Sequence, residues 1–213
     1  MTNEESNRTQ SANNSTAGPG CPQVPPADDL ELIQRAKKGD DAALEEIFKK
    51  YRQKIFSVSY RYLHNPDDAA DVVQETFINA FKFFYKFNAK SGLSTWLVRI
   101  CLNLCWHKRK SIEIKQFFEI SFDKDIETEE GDLTTQLADN RPLPSEEIEK
   151  KQELKKVSSA VDSLKKKYRE MIILKDIEGY SYQECSKILN ISQGTVMSRL
   201  HRARKVLFKK LSP

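Results

Sequence analysis

Tyr180-Ser-Tyr-Gln-Glu-Cys-Ser-Lys-Ile-Leu-Asn-Ile-Ser-Gln-Gly-Thr-Val-Met-Ser-Arg-Leu-His-Arg-Ala-Arg204 reads as two short helices joined by a tight turn, the second running into a cluster of bases. Ser181 followed three residues later by Glu184 makes a capping box, in which each side chain satisfies a backbone N–H that the first helical turn leaves without a partner. Asn190 closes that helix. Ser192 opens the second, where Val196, Leu200, Ala203 and Leu207 fall on one apolar stripe while Met197, Ser198, His201, Arg202 and Lys205 point away from it. A helix-turn-helix with such an outward face suits a DNA groove. An ordinary helical hairpin with a solvated basic face would share the charge run, but not the capped turn, the helix lengths and the basic end together.

The rest of the chain is consistent with an all-α fold. In 213 residues there are 9% aromatics and 7 glycines, a composition that does not suggest a β-sandwich or barrel. The net charge of +4 conceals a steep division: residues 1–110 carry 16 Lys/Arg and 13 Asp/Glu, 111–148 carry 3 and 11, and 149–213 carry 16 and 7. The basic C-terminal part is an electrostatic footprint for phosphate, and the acidic middle would be repelled by the same backbone. Cys21, Cys101, Cys105 and Cys185 fit reduced thiols of a cytosolic compartment better than a disulfide framework. No apolar run approaches the roughly 20 residues that span a bilayer, and the N-terminus carries no targeting core, so a soluble, intracellular chain without stable membrane insertion is expected.

Residues 1–27, rich in Asn, Ser, Thr, Gln and Pro, hold too little apolar surface to offset the entropy of ordering and read as a disordered tail. From Asp28 the spacing predicts a short helix ended by Gly39, a long one from Asp40 to about Leu63, a third opened by Asn65-Pro66 and a fourth from Ser94 to about Lys110. These form one small domain, 28–110. Over 111–148 the helical period fades, acids concentrate, and Pro142 and Pro144 interrupt, as in an extended linker. Ser145, with Glu146 and Glu147 at the positive end of a new helix, leads into a second domain, 149–213.

Two outward faces stand out in the first domain. In the third helix Ala69, Val73, Phe77, Ala80, Phe81 and Phe84 supply a buried stripe, while Asp71, Glu75, Asn79 and Lys82 share another face with Gln74 at its edge. Periodicity alone makes that a solvated polar face. In the fourth helix Leu97, Ile100, Cys101 and Leu104 repeat as core, and Trp96, Arg99, Asn103, His107 and Lys110 lie opposite. An indole and an amide among bases fit single-stranded nucleic acid, whose bases stack on rings while cations take the phosphates; packing of Trp96 on the preceding loop is the other reading. That loop, Lys86 to Ser94, carries an aromatic, amides, hydroxyls and cations, and residue types do not choose between a base pocket and a polar connector.

Taken in order, Leu32 to Asp40, Asp67 to Phe77, Ser94 to Ile100 with Asn103, Tyr168-Arg-Glu, Tyr180 to Glu184 and Gly194 to Arg204 resemble the signatures of the bacterial sigma factors of the extracytoplasmic-function (ECF) group. The resemblance covers nearly everything from Asp28 to Leu211 except the linker. It implies that the first domain binds the clamp coiled coil of core RNA polymerase through Asp71, Gln74, Glu75 and Phe77. It also implies that this domain recognises and melts the −10 element, holding single-stranded nontemplate DNA with Phe87, Asn88, Ser91, Ser94, Trp96, Arg99 and Asn103. Extruding a base costs a few kcal/mol of unstacking that such a pocket must return. The second domain would sit on the polymerase flap and read the −35 element of double-stranded promoter DNA with Gln193, Thr195, Met197, Ser198, Arg199, His201 and Arg202. In this family the connector threads the RNA exit path, so the acidic linker would imitate the transcript, and an anti-sigma factor is the implied antagonist. Leu93 stands where the family usually has an aromatic, and Met197 where it often has a base.

The sequence holds no nucleophile with a paired base, no glycine-rich phosphate loop and no carboxylate pair with a partner motif, so neither an enzyme nor a cofactor is expected. Cys101 and Cys105 share a helix face from which His107 turns away, which is poor geometry for zinc. The competing reading is a polymerase-independent helix-turn-helix regulator whose first domain binds a ligand or dimerises.

Overall fold

The computed structural model describes residues 27–88, 91–123 and 145–212. The tail 1–26 and most of the expected linker, 124–144, lie outside the described residues. Within them the chain is helical throughout: α1 (Ala27–Lys37), α2 (Asp41–Leu63), α3 (Pro66–Lys82), a 3-10 turn (Phe84–Lys86), α4 (Leu93–Asp123), α5 (Ser145–Asp162), α6 (Lys166–Met171, continued by a π-helical segment Ile172–Ile177), α7 (Tyr182–Leu189) and α8 (Gln193–Leu211).

The first four helices pack as one bundle, with α2, α3 and α4 in mutual contact. Its joints follow from the chain. Gly39, at φ +84°, ends α1 in a conformation that costs a side chain dearly, and Asp40 then caps α2 by accepting from the backbone N–H groups of Ala42 (3.0 Å) and Ala43 (3.3 Å). Asn65 caps α3 over Asp67 and Asp68, with Pro66 in the first turn where no N–H is needed. Asp29, buried on α1, accepts from the Tyr51 hydroxyl (2.5 Å) and the Lys50 ammonium (2.6 Å), which fixes α1 across α2.

The second unit is built on Arg169. This side chain, 6% exposed, donates to the carbonyls of Val161, Asp162 and Leu164 at the end of α5, groups that the helix itself leaves unpaired. Beyond it the backbone widens into π turns, with the Glu178 N–H reaching five residues back to the Ile173 carbonyl (2.9 Å). The expected capping box is present: the Glu184 N–H donates to the Ser181 hydroxyl (3.2 Å) and the Ser181 N–H donates to the Glu184 carboxylate (2.8 Å). Asn190 closes α7 at φ 53°, and Ser192 caps α8. Ser181→Ala removes one half of the box and is expected to lower the unfolding free energy by about 1 kcal/mol in urea titration; an unchanged midpoint would show that the box contributes nothing.

Two expectations change. The fourth helix does not stop near Lys110 but runs to Asp123, with Arg109 paired to Glu113 one turn on (3.0 Å). Its core is also wider than one stripe: Val98, Leu102 and Cys105 are buried with Leu97 and Cys101, while Ile100 and Leu104 are half-buried. The physical reason is that α7 packs directly on α4, and a single hydrophobic core runs through both units.

Candidate nucleic-acid interface

On α8 the stripe Val196, Leu200 and Ala203 is buried and Leu207 half-buried, which turns Gln193, Met197, Ser198, His201 and Arg202 into solvent on one face together with Lys205. Thr195 stands at the helix start, its hydroxyl 2.8 Å from that of Ser192, and Arg199 is half-buried with its charge acting on Glu170. Arg204, by contrast, forks onto Asp176 (3.1 and 2.5 Å) and belongs to the scaffold. Met197 leaves 52% of its surface in water on this basic face.

The residues expected at the −10 element divide. Phe87 is buried, its ring 5.0 Å from that of Trp96 and 6.0 Å from that of Phe84, and the half-buried Trp96 closes the cluster edge-on to Phe84 at 5.9 Å. Phe87 therefore supports the loop from within rather than offering a face to a base, and the packing reading of Trp96 holds. Asn88 and Asn103 are exposed and Ser91 is half-buried. Leu93, at 0% exposure, is a core residue. The Ser94 hydroxyl is buried beside Tyr180 at the start of the helix-turn-helix.

Arg99 is occupied. Its Nε donates to the Ile188 carbonyl (2.9 Å) and a second guanidinium nitrogen donates to the Lys187 carbonyl. These are last-turn carbonyls of α7, the negative end of its dipole, so a guanidinium is a fitting cap. Next to it a cleft of about 240 Å³ is lined by Leu102, Asn103, Lys166, Glu170 and Leu189. Further ties cross the same seam: Ser57 donates to Glu178 (2.8 Å), the Lys54 ammonium sits 4.7 Å from the Tyr180 ring, and Asp162 pairs with both Arg109 (2.8 Å) and His64 (3.3 Å). Burial alone would raise the Asp162 carboxyl, but His64, Arg109 and Arg169 hold it below the usual carboxylate range. Ser57, Lys54, His64, Arg109, Asp162 and Glu178 were not singled out from the sequence, because no periodicity in one helix encodes its partner in another domain.

On the opposite side of the first unit, α2 and α3 enclose a groove of about 410 Å³ lined by Phe48, Arg52, Gln53, Phe56, Ala70, Val73 and Gln74. Gln74 and Glu75 are exposed at its side, and Asp71 is exposed but paired with Lys108 of α4 (3.0 Å). Phe77 is buried 4.9 Å from Phe48, so it shapes the groove from beneath and cannot itself be touched.

Residues 47–111 match the family model for Sigma-70 region 2, and 154–207 match that for Sigma-70, region 4. Over 180 residues the chain is 34% identical to the ECF RNA polymerase sigma factor SigW of Bacillus subtilis, an alignment spanning 84% of this chain and 94% of SigW. The chain belongs to the ECF RNA polymerase sigma factors. It is thus an alternative sigma factor, a transcription initiation factor. Two solved structures share its fold: CnrH in complex with the cytosolic domain of CnrY (TM-score 0.58, 24% identity, 86% of this chain and 96% of that one), and the sigma factor RpoE of Bartonella quintana in complex with the anti-sigma factor NepR (TM-score 0.51, 24% identity, 78% and 95%).

Among the described residues of the sigma factor, no helix is long and apolar enough to cross a membrane, and no group of three His, Cys, Asp or Glu is gathered to hold a metal. Glu170 is the unusual carboxylate of the seam. Burial pushes its carboxyl above the ordinary range, and the charges of Lys166, Arg199 and Arg169 offset this only in part. A carboxylate raised on folding loses stability as the pH climbs from its unfolded to its folded pKa, carries the full cost above the latter, and costs nothing where both folded and unfolded forms are protonated. Glu170→Gln is therefore expected to raise the urea midpoint of the sigma factor at pH 7 and to leave it unchanged below about pH 4. An equal gain at both pH values, or a loss at pH 7, would contradict that account.

Proposed function

We propose that this sigma factor joins core RNA polymerase through the α2–α3 groove, with Asp71, Gln74 and Glu75 at its side and Phe77 beneath. It reads the −35 element with the exposed face of α8, and recognises and melts the −10 element with α4 and the loop before it. The observation that carries the reading is that α8 face: capped as a helix-turn-helix and backed by a buried stripe, it leaves Gln193, Met197, Ser198, His201 and Arg202 free together. Met197 offers apolar contact of the kind that suits a thymine methyl, and Arg202 suits phosphate or a guanine edge. Arg99 and Ser94 are covered by α7 and Tyr180, so engaging the −10 strand requires the second unit to leave α4. Polymerase binding to both units at different places would supply that separation.

The role is non-catalytic and cytoplasmic on this reading. The RpoE complex with an anti-sigma factor supports a protein antagonist for this chain as well. Run-off transcription from a library of promoter fragments, with core RNA polymerase and with or without the chain, tests the proposal. Starts that need the chain and share two spaced motifs are expected. No new starts, together with duplex binding in the absence of core, would replace it with the polymerase-independent regulator.

A further inference from the structure

The 3-10 turn that follows α3 sorts its side chains by position. Three residues apart, Phe84 and Phe87 eclipse one another and both point into the core, where they meet Trp96. Their anchoring throws the intervening and preceding rings outward. Tyr85 is 69% exposed and Phe83 38% exposed, an unusual placement for two large aromatics one residue apart. One ammonium serves both, since Lys86 Nζ lies 5.1 Å from the Phe83 ring centre and 5.5 Å from that of Tyr85, and Lys82 Nζ lies 5.6 Å from Phe83 on the other side. From Ile78 to Lys86 there is no acidic residue. The result is an aromatic ledge with two cations beside it, leading directly into the loop that precedes α4.

We infer that Phe83 and Tyr85 form a stacking ledge for unpaired bases of the nontemplate strand, with Lys82 and Lys86 moving from the rings to the adjacent phosphates. Exposed rings accept the face of any base, and neighbouring cations take the backbone, which is the chemistry by which single strands are held without sequence readout. Exposed ring faces flanked by two ammonium groups favour a polyanion that also carries flat rings. Unlike Arg99 and Ser94, the ledge is uncovered while α7 rests on α4. It can therefore take hold of an unpaired base before the rest of the −10 face is free. This inference rests on the sigma-factor reading above and adds Phe83 and Tyr85, which the sequence analysis did not select.

The test uses holoenzyme, reconstituted from core RNA polymerase and the full chain, on a promoter recovered from the run-off library. 2-Aminopurine is placed singly along the nontemplate strand of the melted region, where stacking quenches its fluorescence. Tyr85→Ala and Phe83→Ala are each expected to relieve quenching at one or two adjacent positions and to speed open-complex dissociation by about tenfold, while Tyr85→Trp retains both. Lys82→Ala with Lys86→Ala should flatten the salt dependence of open-complex lifetime. Wild-type quenching and lifetime in a variant carrying both Phe83→Ala and Tyr85→Ala would overturn the ledge, and so would a loss confined to affinity for core polymerase, which would make the patch a protein contact. A wild-type chain that directs no starts would instead overturn the sigma reading, so the two failures are distinguishable.

Discussion

Arg169→Met is expected to cost the folded chain about 3 kcal/mol, the largest loss expected from any single cation of the described residues. The side chain is nearly enclosed, and its guanidinium satisfies carbonyls of Val161, Asp162 and Leu164 while lying 5.5 Å from the ring of Tyr62 in the other unit. Methionine keeps much of the volume and none of the donors. The Val161 carbonyl keeps the Leu164 N–H (3.0 Å) and the Asp162 carbonyl a long bond from Arg109 (3.5 Å), so the loss falls mainly on Leu164 and Asp162, at about 1–3 kcal/mol for a buried carbonyl left without a good partner. Both tryptophans, Trp96 and Trp106, lie in the first unit, and Lys166 sits 4.3 Å from the Trp106 ring across the seam. The loss should therefore register twice in urea titration, as an earlier midpoint in far-UV dichroism and as an altered Trp106 environment. A midpoint within about 0.5 kcal/mol of wild type, the range of an ordinary surface change, would show that the end of α5 is held by something else.

Arg99→Ala should have two effects of opposite sense. In the free chain it removes a forked cap from the last turn of α7, and hydrogen bonds from a charged donor are worth about 1.5–3 kcal/mol. Donor and acceptor dyes placed on α2 and α8 are thus expected to report a larger and broader separation. On promoters the same change removes a cation from the proposed −10 surface, and start-specific transcription should fall by about tenfold or more, the scale of losing one good base or phosphate contact. Arg99→Lys keeps the charge but cannot fork to two carbonyls, so it should open the chain nearly as much while retaining more transcription. If transcription is unaffected in Arg99→Ala, the arginine is a structural clasp only; if the separation is unaffected, its contacts with Lys187 and Ile188 do not hold the units together.

The capped turn at Ser181 and Glu184, the Asn190 stop and the α8 stripe were legible because each is a local device whose parts lie within a few residues. Asp40, Asn65 and Gly39 marked helix ends for the same reason. Legibility failed where the cause was tertiary. Leu102 broadens the buried surface of α4 toward Ile188 and Leu189 of α7, while Cys105 is covered within the first unit by Cys101 and Ser59, and a single-stripe reading of one helix has no place for a second partner. The extension of α4 to Asp123 went unread since it buries little: Ile114, Phe117 and Phe118 are exposed, and a helix without a core-facing stripe leaves no periodic trace. Phe77 and Phe87 lie in motifs that the family resemblance tied to binding, yet both are enclosed, so their motif positions reflect what the neighbouring surface is built upon. Asp29 went unnoticed beside the boundary at Asp28, although its burial with Tyr51 and Lys50 is what seats α1.

The π segment of α6 bears on how this chain can tolerate insertions and deletions. An α-helix advances about 100° and 1.5 Å per residue, and a wide turn accommodates an extra residue without breaking the axis. Deleting one residue between Ile172 and Ile177 would let the segment relax into regular α-helix, a change that looks benign locally. Because the wide turn takes up that residue, the chain beyond it would nearly keep its bearing, with Tyr180 still near Lys54 and Ser94, whereas a second deletion would rotate everything downstream by about 100° and swing the exposed row of α8 away. The π segment thus holds one residue in reserve, and a single deletion there should be tolerated better than the same deletion in α7 or α8, where no wide turn can take it up.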